Sequence, residues 1–265
     1  MNSAPIPISA CVICLDEEDN IYDCLKSLWF AEEIIVLDSG STDRTVTIAK
    51  SFNNVKVFQR EFDNYISQKN HAISLALNPT VLVLDADERI SDSLSEEIRN
   101  RWPLDAEISG MYIPRLTFYL GKWIRHGGWY PNHQLRLFKK EKGKFSGIIL
   151  HEKVDLEGRT EFFKNPILHY SYRNITDHLN FINRYSSLGA EEKFQKGKKS
   201  GVFQAVYRAF YKFLHMYFGK LGLLDGRAGF IIAVLGAYYN FLKYIKLYEL
   251  RNIRNENQNG PSRVS

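Results

Sequence analysis

Three carboxylates, Asp85, Asp87 and Glu88, crowd into four positions directly after the apolar run Val81-Leu82-Val83-Leu84. A short β-branched run of that kind reads as a buried strand. Side chains alternate along an extended chain, so Asp85 and Asp87 are expected on one side and Ala86 on the other. Two hard oxygen ligands at a strand's carboxyl end suit Mg2+ or Mn2+ carrying a diphosphate. That end is also where open α/β sheets bind ligands. The same residues suit a solvated turn equally well, with Ser91 or Asp92 capping the helix that follows.

A second acid-tipped strand lies upstream, where Glu33 to Leu37 runs into Asp38-Ser39-Gly40-Ser41-Thr42-Asp43. Exposed amides in such a turn can receive an anion, and an acid at a strand tip can grip a ribose or a base edge. Ser, Gly and Asp are also ordinary βα-loop residues. No GxGxxG is present, which argues against a dinucleotide-binding Rossmann unit.

The elements that must carry these acids alternate. Strands are expected over Ile8 to Leu15, Glu33 to Leu37, Val55 to Phe58 and the run ending at Asp85. Helices are expected from Asp16–Asp19 onward, over Thr45 to Ser51 and over Gln68 to Leu77. Such alternation means an α/β protein: a mostly parallel sheet with helices on both faces. After Ser91 the pattern changes to a helix over Ser93 to Trp102, a β-like run over Gly110 to Leu120, and a Gly/Trp/Tyr-rich loop over Trp123 to Asn132. Gln134 to Phe138 and Phe145 to Val154 read as a pair of strands, and Ile175 to Glu192 as a helix.

With 265 residues, 45% hydrophobic and 25% charged, the chain can bury a sizeable core. Its charge of +5 suits anionic partners such as nucleotides or acidic lipid surfaces. No compact basic motif accompanies that charge, so nucleic acid is not expected as a partner. Cys11, Cys14 and Cys24 form no pairing framework and are expected as core thiols in a reducing compartment. The opening MNSAPIPISA lacks the basic and apolar regions of a signal peptide, so a cytoplasmic location is expected.

The segments CLDEEDNI, EIIVLDSGSTDRT, SQKNHAISLA and VLVLDADERIS resemble the nucleotide-binding half of family-2 glycosyltransferases, which have the glycosyltransferase A fold. The likeness continues through HGGWYPNHQLRLFKK, GIILHEKV and LDGRAGF to KYIKLYE. It is nearest to the lipopolysaccharide and lipooligosaccharide core glucosyltransferases that add β-linked glucose to inner-core heptose. The resemblance implies that Asp38 binds the uracil or ribose of a UDP-sugar, with Cys14, Leu15, Asp16 and Glu17 lining the same pocket. It places Lys69 near the diphosphate or base. Within Asp85-Ala86-Asp87, it gives Asp85 the ribose and sugar and Asp87 the metal, Mg2+ or Mn2+. The family usually has Asn where this chain has Asp16, and an ionised aspartate accepts but cannot donate. Inverting transfer needs a base to take the acceptor's proton and a cation to offset the departing diphosphate. Similar enzymes carry His-Glu where this chain has His151 and Glu152, which points to Glu152 as base, with His151 the other candidate. His126, His133, His169 and His178 show no ligand spacing and are expected to be structural or acceptor-side.

Phe203, Val206, Tyr207, Phe210, Phe213, Leu214 and Tyr217 recur at helical spacing, with Arg208, Lys212 and His215 on the far side. Ala228 to Leu242 is almost wholly apolar, shorter than the ~20 residues of a spanning helix, and Lys243, Lys246, Arg251 and Arg254 follow. Basic-aromatic helices of this kind lie in the bilayer interface; a buried hairpin or a dimer surface is the competing reading. The expected organisation is a catalytic domain over 1–195, with its nucleotide-binding half at about 1–92 and its acceptor half at about 93–195. A membrane-associating helical region over 196–255 and a disordered tail over 256–265 follow. The expected partners are a UDP-sugar donor, a lipid-linked saccharide acceptor and the cytoplasmic face of the inner membrane. Two rivals remain: a haloacid-dehalogenase-type phosphatase, which also starts from a strand-borne DxD, and a non-catalytic membrane scaffold that binds nucleotide.

Overall fold

A computed structural model describes residues 4–148 and 151–259, excepting the side chains of Ile148, His151 and residues 253–259. Residues up to Thr117 together with Pro131–Ser171 form one compact unit; Phe118–Tyr130 and the chain from Tyr172 onward form a second. The first unit is built on β1 (Ile6–Cys14), β2 (Ala31–Asp38), β3 (Val55–Gln59), β4 (Thr80–Asp85), β5 (Glu88–Ile90), β6 (Ile108–Tyr119, its last two residues in the second unit), and β8 (Asn132–Lys139) through β12 (Ile167–His169). Among the described residues the sheet runs β3-β2-β1-β4-β8-β6-β12-β5. Strands β1 to β4 pair in parallel, whereas β8 pairs antiparallel with both β4 and β6.

Alternation along β1 divides the core. Ile8, Ala10, Val12 and Cys14 pack with α1 (Ile21–Ser27) and α4 (Asp92–Asn100) on one face. Cys11 and Ile13 pack with α3 (Tyr65–Ser74) on the other. The Cys11-x-x-Cys14 pair therefore points to opposite faces, and all three thiols are buried and free. Burial pushes each of them up, so they are core residues, as their lack of a pairing framework predicts.

Three local expectations change. The helix expected from Asp16 begins only at Ile21, because Asp16 has φ 52° and its loop bonds elsewhere. Strand β4 ends at Asp85, so Ala86 and Asp87 form a turn and strand alternation no longer governs where Asp87 points. The run Phe145 to Val154 does not partner Gln134–Phe138; β9 (Gly143–Ile148) pairs instead with β10 (His151–Leu156). β8 is flanked on both edges by β4 and β6 and has no free edge to offer.

The second unit contains α5 (Ile175–Gln195), α6 (Val202–Leu214), a π-helical turn over His215–Gly219 and α7 (Gly226–Asn259). β7 (Lys122–Ile124) lies here too and pairs with β6. Buried Asp225 ties the Gly/Trp/Tyr-rich loop to this unit: it accepts from His126 N at 2.8 Å, Arg125 N at 3.3 Å and His126 Nδ1 at 3.1 Å. α5 belongs here because Lys246 on α7 donates to Asn183 O, Ser186 Oγ and Ser187 Oγ. The division thus differs from a boundary after residue 195, which rests on the charge run alone. His178 is buried in this unit: it meets Tyr119 Oη at 2.8 Å, stacks on Tyr172, and burial pushes its pKa down to about 4.

On α6 the inward side chain is Ala205, while Phe203 is 86% exposed and Tyr207, Phe210 and Tyr211 are exposed with it. The first part of the stripe, from Phe203 to Phe210, faces out of its unit, whereas Phe213 and Tyr217 pack against the core around Met216 and Ile232. α7 runs unbroken to Asn259, past the start of the expected tail, and residues 260–265 lie outside the described residues. Gly222–Asn252 holds one stretch long and apolar enough to cross a membrane by length and composition.

Candidate active site

The loops after β1 and β2 are stitched together. Asp38, buried at the tip of β2, accepts from Gly40 N at 3.1 Å, Ser41 N at 3.1 Å and Gln59 Nε2 at 3.2 Å, and from the Ser41 hydroxyl. Gly40 has φ 99°, a left-handed conformation natural to glycine. Across from it, Asp16 Oδ1 accepts from Thr42 N at 2.8 Å, and Asp16 N donates to Ser41 Oγ at 2.9 Å. Glu17 N donates to Thr45 Oγ1 at 2.8 Å and Glu18 N to Asp43 Oδ2 at 3.0 Å. These bonds ask the Asp16 side chain only to accept, and its positive φ is tolerated by Asp as by Asn. The departure from the family's Asn costs none of them. Leu15 is exposed on the same loop, whereas Cys14 is buried with Sγ 3.7 Å from Asp38 Oδ1.

Chain order places β2 on one side of β1 and β4 on the other, so a crevice opens at the carboxyl ends of β1 and β4. There the acids and bases interlock. Lys69 on α3, whose start is capped by Asn64, is 1% exposed; its Nζ lies 3.1 Å from Asp85 Oδ1 and 2.6 Å from Glu152 Oε1. Lys69 is thus held between two carboxylates at the carboxyl end of β4. Arg136 Nη2, from β8, donates to Asp85 Oδ2 at 2.9 Å and to fully buried Glu88 at 2.8 Å. Arg115 adds a contact to Glu88 at 3.3 Å. The Oε2 atom of Glu152 is buried and has no hydrogen-bond partner among the described residues.

Asp87 stands apart from this group. Its Oδ2 lies 3.2 Å from Nε2 of His169 on β12, and Thr117 Oγ1 lies 3.4 Å from that ring's Nδ1. His169, expected from the sequence as structural or acceptor-side, is brought by folding beside the expected metal ligand. Among the described residues no group of three or more His, Cys, Asp or Glu side chains could hold a metal. A carboxylate and an imidazole do fit a divalent cation that takes its other ligands from a diphosphate and water. The side chain of His151 lies outside the described residues. Arg136 is a site residue that no sequence motif singles out, and Glu88, one of the three clustered carboxylates, turns out to be its buried partner. The signal for Arg136 was an arginine inside the apolar strand QLRLF, since a buried guanidinium requires acids nearby.

Burial opposes ionisation of Asp85, but Lys69 and Arg136 outweigh it and hold its carboxyl well below the usual carboxylate range. A carboxyl whose pKa is lower folded than unfolded stabilises above its unfolded value, 3.8 here, and loses that contribution as pH falls toward the folded value. Urea stability should therefore decline on acidification below about pH 4, and Asp85→Asn should flatten the decline. Parallel acid profiles for the two proteins would show the pairing absent.

Residues 9–152 match the family described as Glycosyl transferase family 2. The chain is 29% identical over 250 residues to the lipopolysaccharide core biosynthesis glycosyltransferase LpsC of Rhizobium meliloti, covering 92% of this chain and 93% of that protein. An uncharacterized glycosyltransferase of Rickettsia typhi is 30% identical over 255 residues, covering 92% and 87%. The mannosyltransferase PcManGT of Pyrobaculum calidifontis, solved with GDP-Man and Mn2+, shares the fold with a TM-score of 0.51 at 14% identity, over 98% of this chain and 77% of that one. That fold is glycosyltransferase A, as the sequence motifs imply, and nothing here favours the phosphatase alternative. The family match begins inside β1 and runs through both stitched loops and the Lys69–Asp85–Arg136 group to Glu152, and the chain belongs to glycosyltransferase family 2.

Proposed function

We propose that this glycosyltransferase moves a hexose, glucose from UDP-glucose, with inversion onto a lipid-linked saccharide such as a heptose of the lipopolysaccharide inner core. The observation that carries the chemistry is Glu152: Lys69 holds Oε1 at 2.6 Å, leaving Oε2 buried and without a partner among the described residues. In a single displacement the acceptor hydroxyl gives its proton to Oε2 while its oxygen bonds to the anomeric carbon. The bond from that carbon to the diphosphate breaks, and its electron pair leaves on the phosphate oxygen, so the anomeric centre inverts. Lys69 orients the base, and Asp85, fixed by Lys69 and Arg136, faces the ribose and sugar. Asp38 shapes the nucleoside loop from within, and Leu15, Asp16 and Glu17 line it.

Asp87 and His169 would hold the divalent cation, which supplies charge to offset the departing diphosphate. One carboxylate with one imidazole suits Mn2+ better than Mg2+, which prefers all-oxygen ligands. Thr117 beside Nδ1 leaves Nε2 directed at Asp87.

The role of the Rhizobium relative in lipopolysaccharide core biosynthesis supports a lipid-linked acceptor. The outward aromatic face of α6 and the basic end of α7 support a peripheral position on the cytoplasmic face of the inner membrane. A donor screen with Mn2+ tests the reading. UDP-glucose should be hydrolysed faster than other nucleotide sugars, and glucose should pass to purified lipid-linked core saccharide. Preference for another nucleotide sugar would overturn the donor assignment, and transfer to soluble saccharides alone would overturn the acceptor class.

A further inference from the structure

A cavity of about 550 Å³ lies wholly within the helical unit. Trp129 and Tyr239 supply aromatic walls, Lys212, Lys220 and Lys243 supply its cationic side chains, and His215 adds an imidazole. The Nζ atoms of Lys212 and Lys220 make no hydrogen bond or ion pair among the described residues. Among the described residues Lys243 makes only cation–π contacts, 4.8 Å from Tyr239 and 5.6 Å from Tyr244. Arg208, one turn before Lys212 on α6, and Lys193 on α5 also pack on Tyr244, at 4.7 and 5.4 Å.

The charge is one-sided. Burial first, and then Lys193, Lys212 and Arg208, push Lys243 down to about 8; Glu192 alone opposes them, and it is already paired with Lys196. Burial also pushes Lys212 down. Fully solvated surface lysines need no explanation, but half-buried Lys212 and Lys243 beside a cavity that no carboxylate lines among the described residues do. The arrangement is held by design of the backbone: a Cβ on Gly189 would come within 3.0 Å of the Lys243 stem, so α5 and α7 approach closely there.

We propose that this cavity binds a phosphate group carried on a lipid head group. Ammonium groups around a concave site match a phosphate's charge. The exposed Phe203, Tyr207 and Phe210 of α6, together with Phe218 and Phe230, give the same unit an apolar surface that a free phosphate would not require. Aromatic rings sit at the head-group level of a bilayer, where such a phosphate is presented. Access of the phosphate from a membrane rests on the interfacial placement proposed above; the anion chemistry of the cavity does not.

The test is calorimetric titration of the full chain with dihexanoyl phosphatidic acid below its micelle concentration, with inorganic phosphate in parallel. Phosphatidic acid should bind tightly, and inorganic phosphate much more weakly. Lys212→Gln with Lys243→Gln should weaken phosphatidic acid binding roughly tenfold or more. Lys198→Gln with Lys199→Gln, which removes the same charge from exposed positions, should change it less than about twofold. Lys212→Arg with Lys243→Arg keeps both charges and should retain binding, which separates lost recognition from lost folding. Equal weakening by the two Gln pairs would reduce the effect to general surface charge and overturn the site. Equal affinity for inorganic phosphate would overturn the lipid as its source. UDP-glucose hydrolysis needs no lipid, so it reports the catalytic reading separately from this one.

Discussion

Replacing Glu152 with Gln should lower turnover by about 10²–10⁴, the range for loss of a positioned general base. The amide keeps the size of the side chain, and its carbonyl oxygen can still accept from Lys69 Nζ, which lies 2.6 Å from Oε1. What disappears is the second oxygen's ability to take a proton, and that oxygen is the one left without a partner among the described residues. UDP affinity and the Mn2+ requirement should survive, because Glu152 contacts neither in the proposed arrangement. Single-turnover transfer, compared with UDP titration of the same protein, separates the two effects. A variant working at full rate would move the base elsewhere, and His151 would be tested next. A variant that lost UDP binding in step with turnover would make Glu152 a structural partner of Lys69 rather than a base.

Asp87→Ala should abolish turnover and, with it, the joint affinity for Mn2+ and UDP. The turn that carries Asp87 should survive, since its backbone carbonyl, not its side chain, receives Tyr170 N at 2.9 Å. Thermal melting without ligand should therefore change little, while the Mn2+-dependent rise in melting temperature with UDP should vanish. His169→Ala should raise the Mn2+ concentration needed for activity, as removal of one of two protein ligands would. Near-normal activity in the Asp87 variant, or full activity of the parent enzyme in excess EDTA, would sink the divalent-metal mechanism.

Sequence periodicity determined the alternating strands and helices of the first ninety or so residues, since hydrophobic spacing and turn chemistry are local properties. The parallel β1–β4 core, its helices on both faces and the Ser91 cap of α4 all follow from such signals. The motifs likewise determined the fold and the family, and they located Asp38, Asp85 and Glu152 at strand ends or on a hairpin. Pairing across long separations was beyond their reach. Lys69 meets Glu152 across 83 positions and Arg136 meets Asp85 across 51, and neither bond leaves a periodic trace along the chain.

Tertiary structure also decided which of the adjacent acids do which work. Ending β4 at Asp85 turns Asp87 away from the strand's alternation and sets it beside His169, while Glu88 is buried against two arginines. The same holds for the helical region. A stripe of aromatic residues at helical spacing reads identically whether it faces a core or faces out, because periodicity reports one face and not what covers it. The packing of α6 through Ala205 and Phe213, and the tie of Asp225 to the loop at His126, settle that Phe203, Tyr207 and Phe210 point outward, that Phe213 and Tyr217 point in, and that the loop belongs with the helices.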